Sequence, residues 1–256
     1  SVGGILMIKG NESLQDIDGL DGLEELGADI TISENPSLLR VLGLKELTQI
    51  DGNVYVGMNP SLLEIDVFPK VVSVNGQVTV EGNEKLDSIS GLGSLEAVTG
   101  SVSISKNKLL RKLEGFEILD SIQSSLSVTL NPALVEMTAF EGLRAIGGDL
   151  EIEDNDSLTD LDNFVNLESI EGFLFILSNA SIVDLDGLKG LRLVKGFIYI
   201  ASNTALISLE GLQSLEGARL EMEITGNHAL TTLEGLPLPD EAEGYLDIRD
   251  NDGLVD

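Results

Sequence analysis

Cysteine is absent from the 256 residues, and histidine occurs once, as His228. Without thiols there are no disulfides, no Cys-ligated metal sites and no cysteine nucleophile, and a lone imidazole excludes every relay that needs two. Tryptophan is also absent, and aromatic residues make up only 4% of the chain. Basic side chains are scarce: 15 Lys and Arg stand against 44 Asp and Glu, a formal net charge of −29. That charge disfavours nucleic acid and anionic lipid as partners. No apolar run reaches the roughly 18 residues of a spanning helix, and no basic stretch with an apolar core opens the chain, so direct membrane insertion and a retained signal peptide are not expected. Apolar residues, by contrast, are plentiful. At 42% they supply enough buried surface to offset chain entropy, which makes this a folded protein.

The dominant positive feature is a repeat. Asn11, Asn35, Asn59, Asn83, Asn107, Asn131, Asn155, Asn179, Asn203, Asn227 and Asn251 follow one another at intervals of 24 residues with no insertion or deletion. Three and five residues before each Asn stands an apolar side chain, as in Leu150 and Ile152, or Ile198 and Ile200. This period-two alternation is that of a short strand. After the Asn the apolar spacing becomes three, through Leu158, Leu161, Phe164, Leu167 and Ile170 in one repeat. A strict three-residue step drifts around a helix of 3.6 residues per turn, so short extended or 3₁₀ pieces separated by corners are expected instead. Glycines recur in two columns. One interrupts the downstream segment, for example at Gly91 and Gly115. The other (Gly52, Gly76, Gly100, Gly148, Gly172, Gly196, Gly244) precedes the strands and is expected to supply the corner conformation that other residues resist.

A 24-residue unit cannot bury its apolar face alone, whereas stacked units build one continuous core. The expected fold is therefore all-β: one solenoid domain over residues 1–256, a right-handed parallel β-helix of about ten and a half coils. At a strand spacing near 4.8 Å the stack would be on the order of 50 Å long. The Asn column then reads as an internal ladder, each amide bonding backbone groups left open by the bend and its own neighbours along the stack. Neither Ser1–Gly4 nor Gly253–Asp256 carries a polar capping unit, so the expectation is a piece of a longer chain.

The phrase Gly-Gly-Asp-Leu-Glu-Ile-Glu-Asp-Asn-Asp-Ser-Leu-Thr-Asp-Leu at 147–161 resembles the leucine-rich-repeat-like coil of receptor L domains, the right-handed β-helical ligand-binding modules of growth-factor receptors and related microbial surface proteins. The resemblance covers the whole chain. It implies a binding module placed outside the cell, at its surface or in an organelle lumen. The chain departs from that pattern in lacking cysteine and in running about twice the usual number of coils. It departs from ordinary leucine-rich repeats in lacking a helix-forming convex segment.

On each strand the residues six, four and two before the Asn should face outward. Most of these rows are polar, such as Ser101, Ser103, Ser105 or Asp149, Glu151, Glu153. Two adjacent rows are not: Phe173, Phe175, Leu177, then Phe197, Tyr199, Ala201. One reading is a protein-binding surface, because soluble proteins seldom expose contiguous apolar patches and aromatics anchor interfaces. The other is a stacking column, Phe173 over Phe197, that stabilises the sheet without a partner. As an interface it would suit a partner with basic residues around an apolar anchor, or self-association.

Seven residues after the Asn runs a column of carboxylates: Asp18, Asp66, Glu114, Asp162, Asp186, Glu210 and Glu234. Clustered oxygens are compatible with weak calcium binding, but the pattern matches neither an EF-hand nor the nonapeptide of calcium β-rolls. Turn geometry and solvation explain the column as well. The sequons at Asn11, Asn155 and Asn179 all use ladder asparagines, whose side chains are expected to be occupied, and His228 reads as a solvated turn residue. No cofactor, metal or catalytic residue is assigned. Constant spacing leaves no inserted loop to wall an active site. A non-catalytic recognition or scaffold module is thus the leading reading, ahead of a polysaccharide-active β-helical enzyme or a purely structural assembly subunit.

Overall fold

The computed structural model describes residues 1–216, 221–236 and 244–255; Asp256, at the end of the expected domain, lies outside them. The described residues wind into an all-β parallel solenoid with stacked coils of 24 residues. The strands that precede the ladder asparagines form one eleven-stranded parallel sheet in chain order, from Leu6–Lys9 to Leu246–Arg249. Each residue pairs with the one 24 positions on, Leu6 with Ile30 in the first pair and Ile224 with Ile248 in the last. A second sheet holds seven two-residue strands, Gln49–Ile50 through Leu193–Val194, and a third holds five, Arg40–Val41 through Glu136–Met137. The sequence period is therefore the strand register itself.

The core is a set of columns along the stack. Ile30, Ile32, Leu126, Val128, Leu174 and Ile176 point inward from the long sheet, while Leu158, Leu161, Phe164, Leu167 and Ile170 close the coil from the other sides, all buried. Phe116, Phe140 and Phe164 stack on one another with ring centroids 5.5 and 5.8 Å apart. Burial of each such side chain contributes about 1.5–3 kcal/mol.

The Asn ladder runs the length of the stack. Asn131 typifies it: its Nδ2 donates to the carbonyls of Ile104 and Thr129, each at 2.9 Å, and to Oδ1 of Asn155 at 3.4 Å. Its own Oδ1 accepts from the backbone N–H and the amide of Asn107 at 3.1 and 3.3 Å. One short amide thus satisfies the end of its own strand, the strand before it and the next ladder residue, which no apolar side chain in that slot could do.

The corner is made differently from the expectation. The residue just before each ladder Asn takes the left-handed conformation, with φ between 54 and 68° at Glu34, Met58, Lys106, Leu130, Asp154, Ser178, Ser202 and Asp250, and at Gly10, Gly82 and Gly226. Most of these are not glycine, and each accepts a strain of about 1 kcal/mol because the ladder bonds on either side hold the turn. The glycines before the strands have another task. A Cβ on Gly100 would lie 2.7 Å from the Gly76 backbone, and one on Gly76 would lie 2.6 Å from the Gly52 carbonyl oxygen. They permit close approach of successive coils.

The third side of the coil takes two forms. In the coils of Asn35 through Asn131 it is the five-stranded sheet, in which Glu114 N–H donates to Ile89 and Thr138 N–H to Leu113. In the coils of Asn11, Asn155, Asn179 and Asn203 it is a 3₁₀ turn: Asp18–Leu20, Asp162–Phe164, Asp186–Leu188 and Glu210–Leu212. There the equivalent N–H is taken by a side chain two residues earlier: Asp18 by Asp16, Asp162 by Asp160, Asp186 by Asp184 and Glu210 by Ser208, at 3.0 to 3.4 Å. Short acceptors divert the amide from the ladder into a local turn. Arg40, Glu64, Lys112 and Glu136 at the same position leave it free to pair. Ser88 is the exception and remains in a strand between strand neighbours.

Candidate protein-binding surface

Outward side chains of the long sheet stand in columns set by the register: Glu151, Phe175, Tyr199 and Glu223 occupy one. At five of the positions six residues before a ladder Asn, the side chain caps the next coil. Asp29 Oδ1 accepts the Asn53 N–H at 2.7 Å, and Asn53 Oδ1 accepts that of Gln77 at 2.9 Å. Further along, Ser101 caps Ser125, Ser125 caps Asp149, and Asp149 caps Phe173 at 3.3, 3.0 and 2.7 Å. Phe173 and Phe197 stand in this column but offer no acceptor, so the polar file stops where the rings begin.

Phe173 is 43% exposed, and Phe175, Leu177, Phe197 and Tyr199 are half-buried on the same face. Ala201 is not part of this surface. It is only 6% exposed, because its methyl group is too short to rise past Leu177 and Thr225, with which it is in register. The same position is buried at Ser33, Ser105 and Thr129, and half-buried or exposed at the longer Lys9, Glu81, Glu153, Leu177 and Arg249. Tyr245 joins the patch from two coils further on, 53% exposed and with its ring centroid 6.4 Å from that of Phe197. It occupies the column of Phe173 and Phe197, and that shared offset from Asn251 was the signal that identifies it.

Apart from the Phe197–Tyr245 contact along the stack, the rings pair along strands. Phe173 and Phe175 lie 5.7 Å apart with a 39° tilt, and Phe197 and Tyr199 lie 6.3 Å apart edge to face. The expected stacking of Phe173 over Phe197 is not among the close ring pairs of the described residues. Phe173 instead spreads over Gly196, where a Cβ would come within 2.7 Å of its Cδ1.

Carboxylates flank the rings. Glu151 accepts from the Ser127 hydroxyl at 2.8 Å. Desolvation, followed by the charges of Asp154 and Glu151, pushes the Glu153 pKa above its usual value. Glu223 pairs with Arg249 at 2.7 Å, and Tyr245 donates its hydroxyl proton to Asp247 at 2.9 Å. Lys9 and Arg249 are the cations among the outward positions of the described strands of the long sheet.

The carboxylate column seven after the Asn has structural work: Asp18, Asp162, Asp186 and Glu210 open the 3₁₀ turns, Asp66 closes the strand Glu64–Asp66, the Glu114 N–H is in the third sheet, and the Glu234 N–H donates to Thr232 Oγ1 at 3.1 Å. No group of three or more His, Cys, Asp or Glu side chains able to hold a metal ion occurs among the described residues. Of the sequon asparagines, Asn155 and Asn179 are fully buried in the ladder, whereas Asn11 is exposed. His228 is exposed beside the Asp252 carboxylate, 3.2 Å away. Among the described residues no helix is long and apolar enough to cross a membrane. No protein-family model matches the chain, and no curated protein or solved structure matches it.

Proposed function

We propose that this solenoid is a non-catalytic recognition module that binds a protein partner through its long sheet, at Phe173, Phe175, Leu177, Phe197 and Tyr199, extended by Tyr245. The observation that carries this reading is the exchange made at Phe173 and Phe197. At Asp29, Asn53, Ser101, Ser125 and Asp149 of that column the side chain caps the next coil, a hydrogen bond to a backbone N–H that contributes about 0.5–1.5 kcal/mol. Giving it up for exposed rings costs both stability and solubility, and the ring contact along the column, Phe197 with Tyr245, leaves Phe173 with a partner only on its own strand among the described residues. An interface accounts for the exchange, since contiguous exposed aromatics anchor partners. The chain is read here as a relative of the leucine-rich-repeat-like coils of receptor L domains, acting as an extracellular, cell-surface or lumenal scaffold. The uniform 24-residue spacing, with no inserted loop to wall a cleft, favours binding over catalysis.

The test is the double substitution Phe175→Ser with Tyr199→Ser. Partner capture or self-association should fall at least tenfold, while stability stays within about 1–2 kcal/mol, the value of the lost ring contacts. A collapse of stability with association untouched would show that the rings serve the sheet alone.

A further inference from the structure

Two neighbouring columns of the long sheet repeat one order of side chains. In one, Glu151, Phe175, Tyr199 and Glu223 follow in register. In the other, offset by two residues along the same strands, stand Asp149, Phe173, Phe197 and Glu221. Both read carboxylate, ring, ring, carboxylate along the stack. With rows about 4.8 Å apart, the two carboxylate rows are separated by about 14 Å, with the rings between them.

An extended polypeptide advances about 3.3 Å per residue and turns alternate side chains to one face. Residues i, i+2 and i+4 of such a segment then point the same way, with i and i+4 about 13 Å apart. We infer that the patch binds an extended basic segment lying along the stack, with cationic side chains at i and i+4 on the carboxylate rows and an apolar one at i+2 on the rings. This rests on the reading of the sheet face as a recognition surface.

The chain itself shows what these carboxylates accept. Arg249 reaches Glu223 at 2.7 Å and Asp247 at 3.4 Å, a guanidinium seated at the edge of the patch. Arginine suits both parts of the site, because it pairs with carboxylates and packs on aromatic faces. A second copy of this face is disfavoured, since it would bring the same carboxylates against one another, and a nucleic acid or anionic bilayer is disfavoured for the same reason.

The experiment uses the full chain and three fluorescein-labelled peptides read by anisotropy at low and moderate salt. The matched peptide is Ser-Arg-Thr-Leu-Thr-Arg-Ser; the shuffled one, Ser-Arg-Arg-Thr-Leu-Thr-Ser, has the same composition; the third carries Glu for both Arg. The matched peptide should bind saturably at one per chain, the shuffled one at least fivefold more weakly, and the acidic one not at all. Glu151→Gln with Glu221→Gln should weaken the matched peptide at least tenfold and flatten its salt dependence, as should Phe173→Ser without the change in salt dependence. Equal binding of matched and shuffled peptides would reduce the effect to bulk charge and overturn the inference, and so would no binding of the matched peptide. If the matched peptide fails while Phe175→Ser with Tyr199→Ser still abolishes association, this partner chemistry falls and the recognition surface stands. If the double variant also changes nothing, both fall.

Discussion

The coils of Asn35 through Asn131 and those of Asn155 through Asn203 share one ladder, one set of inward columns and one period, yet their third sides differ. The first group pairs as a sheet; the second turns as 3₁₀ helix. The difference traces to a side chain five residues after the ladder Asn: Arg, Glu, Ser or Lys in the first group, and Asp or Ser with a following acid in the second. A local acceptor wins at the end coil of Asn11 and in the run of coils from Asn155 to Asn203, whereas Ser88, with strands on both sides, stays in the sheet. Where the two forms meet, the edge carbonyl of Met137 would be left open. Asn163, standing where the next two coils have Gly187 and Gly211, closes it by donating its side-chain amide to that carbonyl.

The comparison can be broken first at what the two groups share. Asn131→Leu and Asn179→Leu each remove an amide that bonds strand ends and ladder neighbours, leaving several buried groups open at about 1–3 kcal/mol apiece. Each should lower stability by at least about 3 kcal/mol in a denaturant titration, and by similar amounts. A large effect in one group only would mean that the ladder is not common to both. A smaller effect is expected at the junction. Asn163→Ala uncaps Met137 but also removes a buried Oδ1 without a partner, so the net loss should be about 1 kcal/mol. Hydrogen exchange should speed up around Met137 more than at Leu113. The smallest effect separates the acidic row from the hydroxyl rows. Glu153 has a folded-state pKa above its ordinary 4.5, so the native state holds its proton more tightly than the unfolded chain. Stability from this group is present below 4.5 and is lost as pH rises through the folded value. Glu153→Gln should flatten that decline in a pH series of melting temperatures, while Ser105→Ala should leave the slope unchanged.

Much of this was legible from residue numbers because the period and the register are the same quantity. The period alone places Asn131 and Leu174 in the interior, since a slip of one residue would turn every inward side chain outward. The patch was legible for the same reason at Phe173, Phe175, Leu177, Phe197 and Tyr199. Ala201 departs from the expectation because alternation gives direction but not reach. Tyr245 is harder to read, because Glu221 separates its row from the others, although its offset is that of Phe197. The left-handed corners at Met58 and Leu130 could not be read, since neither residue favours that conformation and the turn is imposed by hydrogen bonds on either side. The choice between strand and 3₁₀ turn depends on neighbouring coils, as Ser88 illustrates, and a single repeat does not contain it.

The asparagine ladder has a direction. From Asn11 to Asn251 every link runs the same way, the amide of one residue donating to the Oδ1 of the next. Strand peptides alternate their dipoles and largely cancel, but this buried file of side-chain dipoles adds head to tail. Rotating a single amide by half a turn would set acceptor against acceptor on one side and donor against donor on the other, so the file holds one orientation as a unit. The two directions along the solenoid axis are thereby electrically unequal, a polarity that the sheets themselves do not possess.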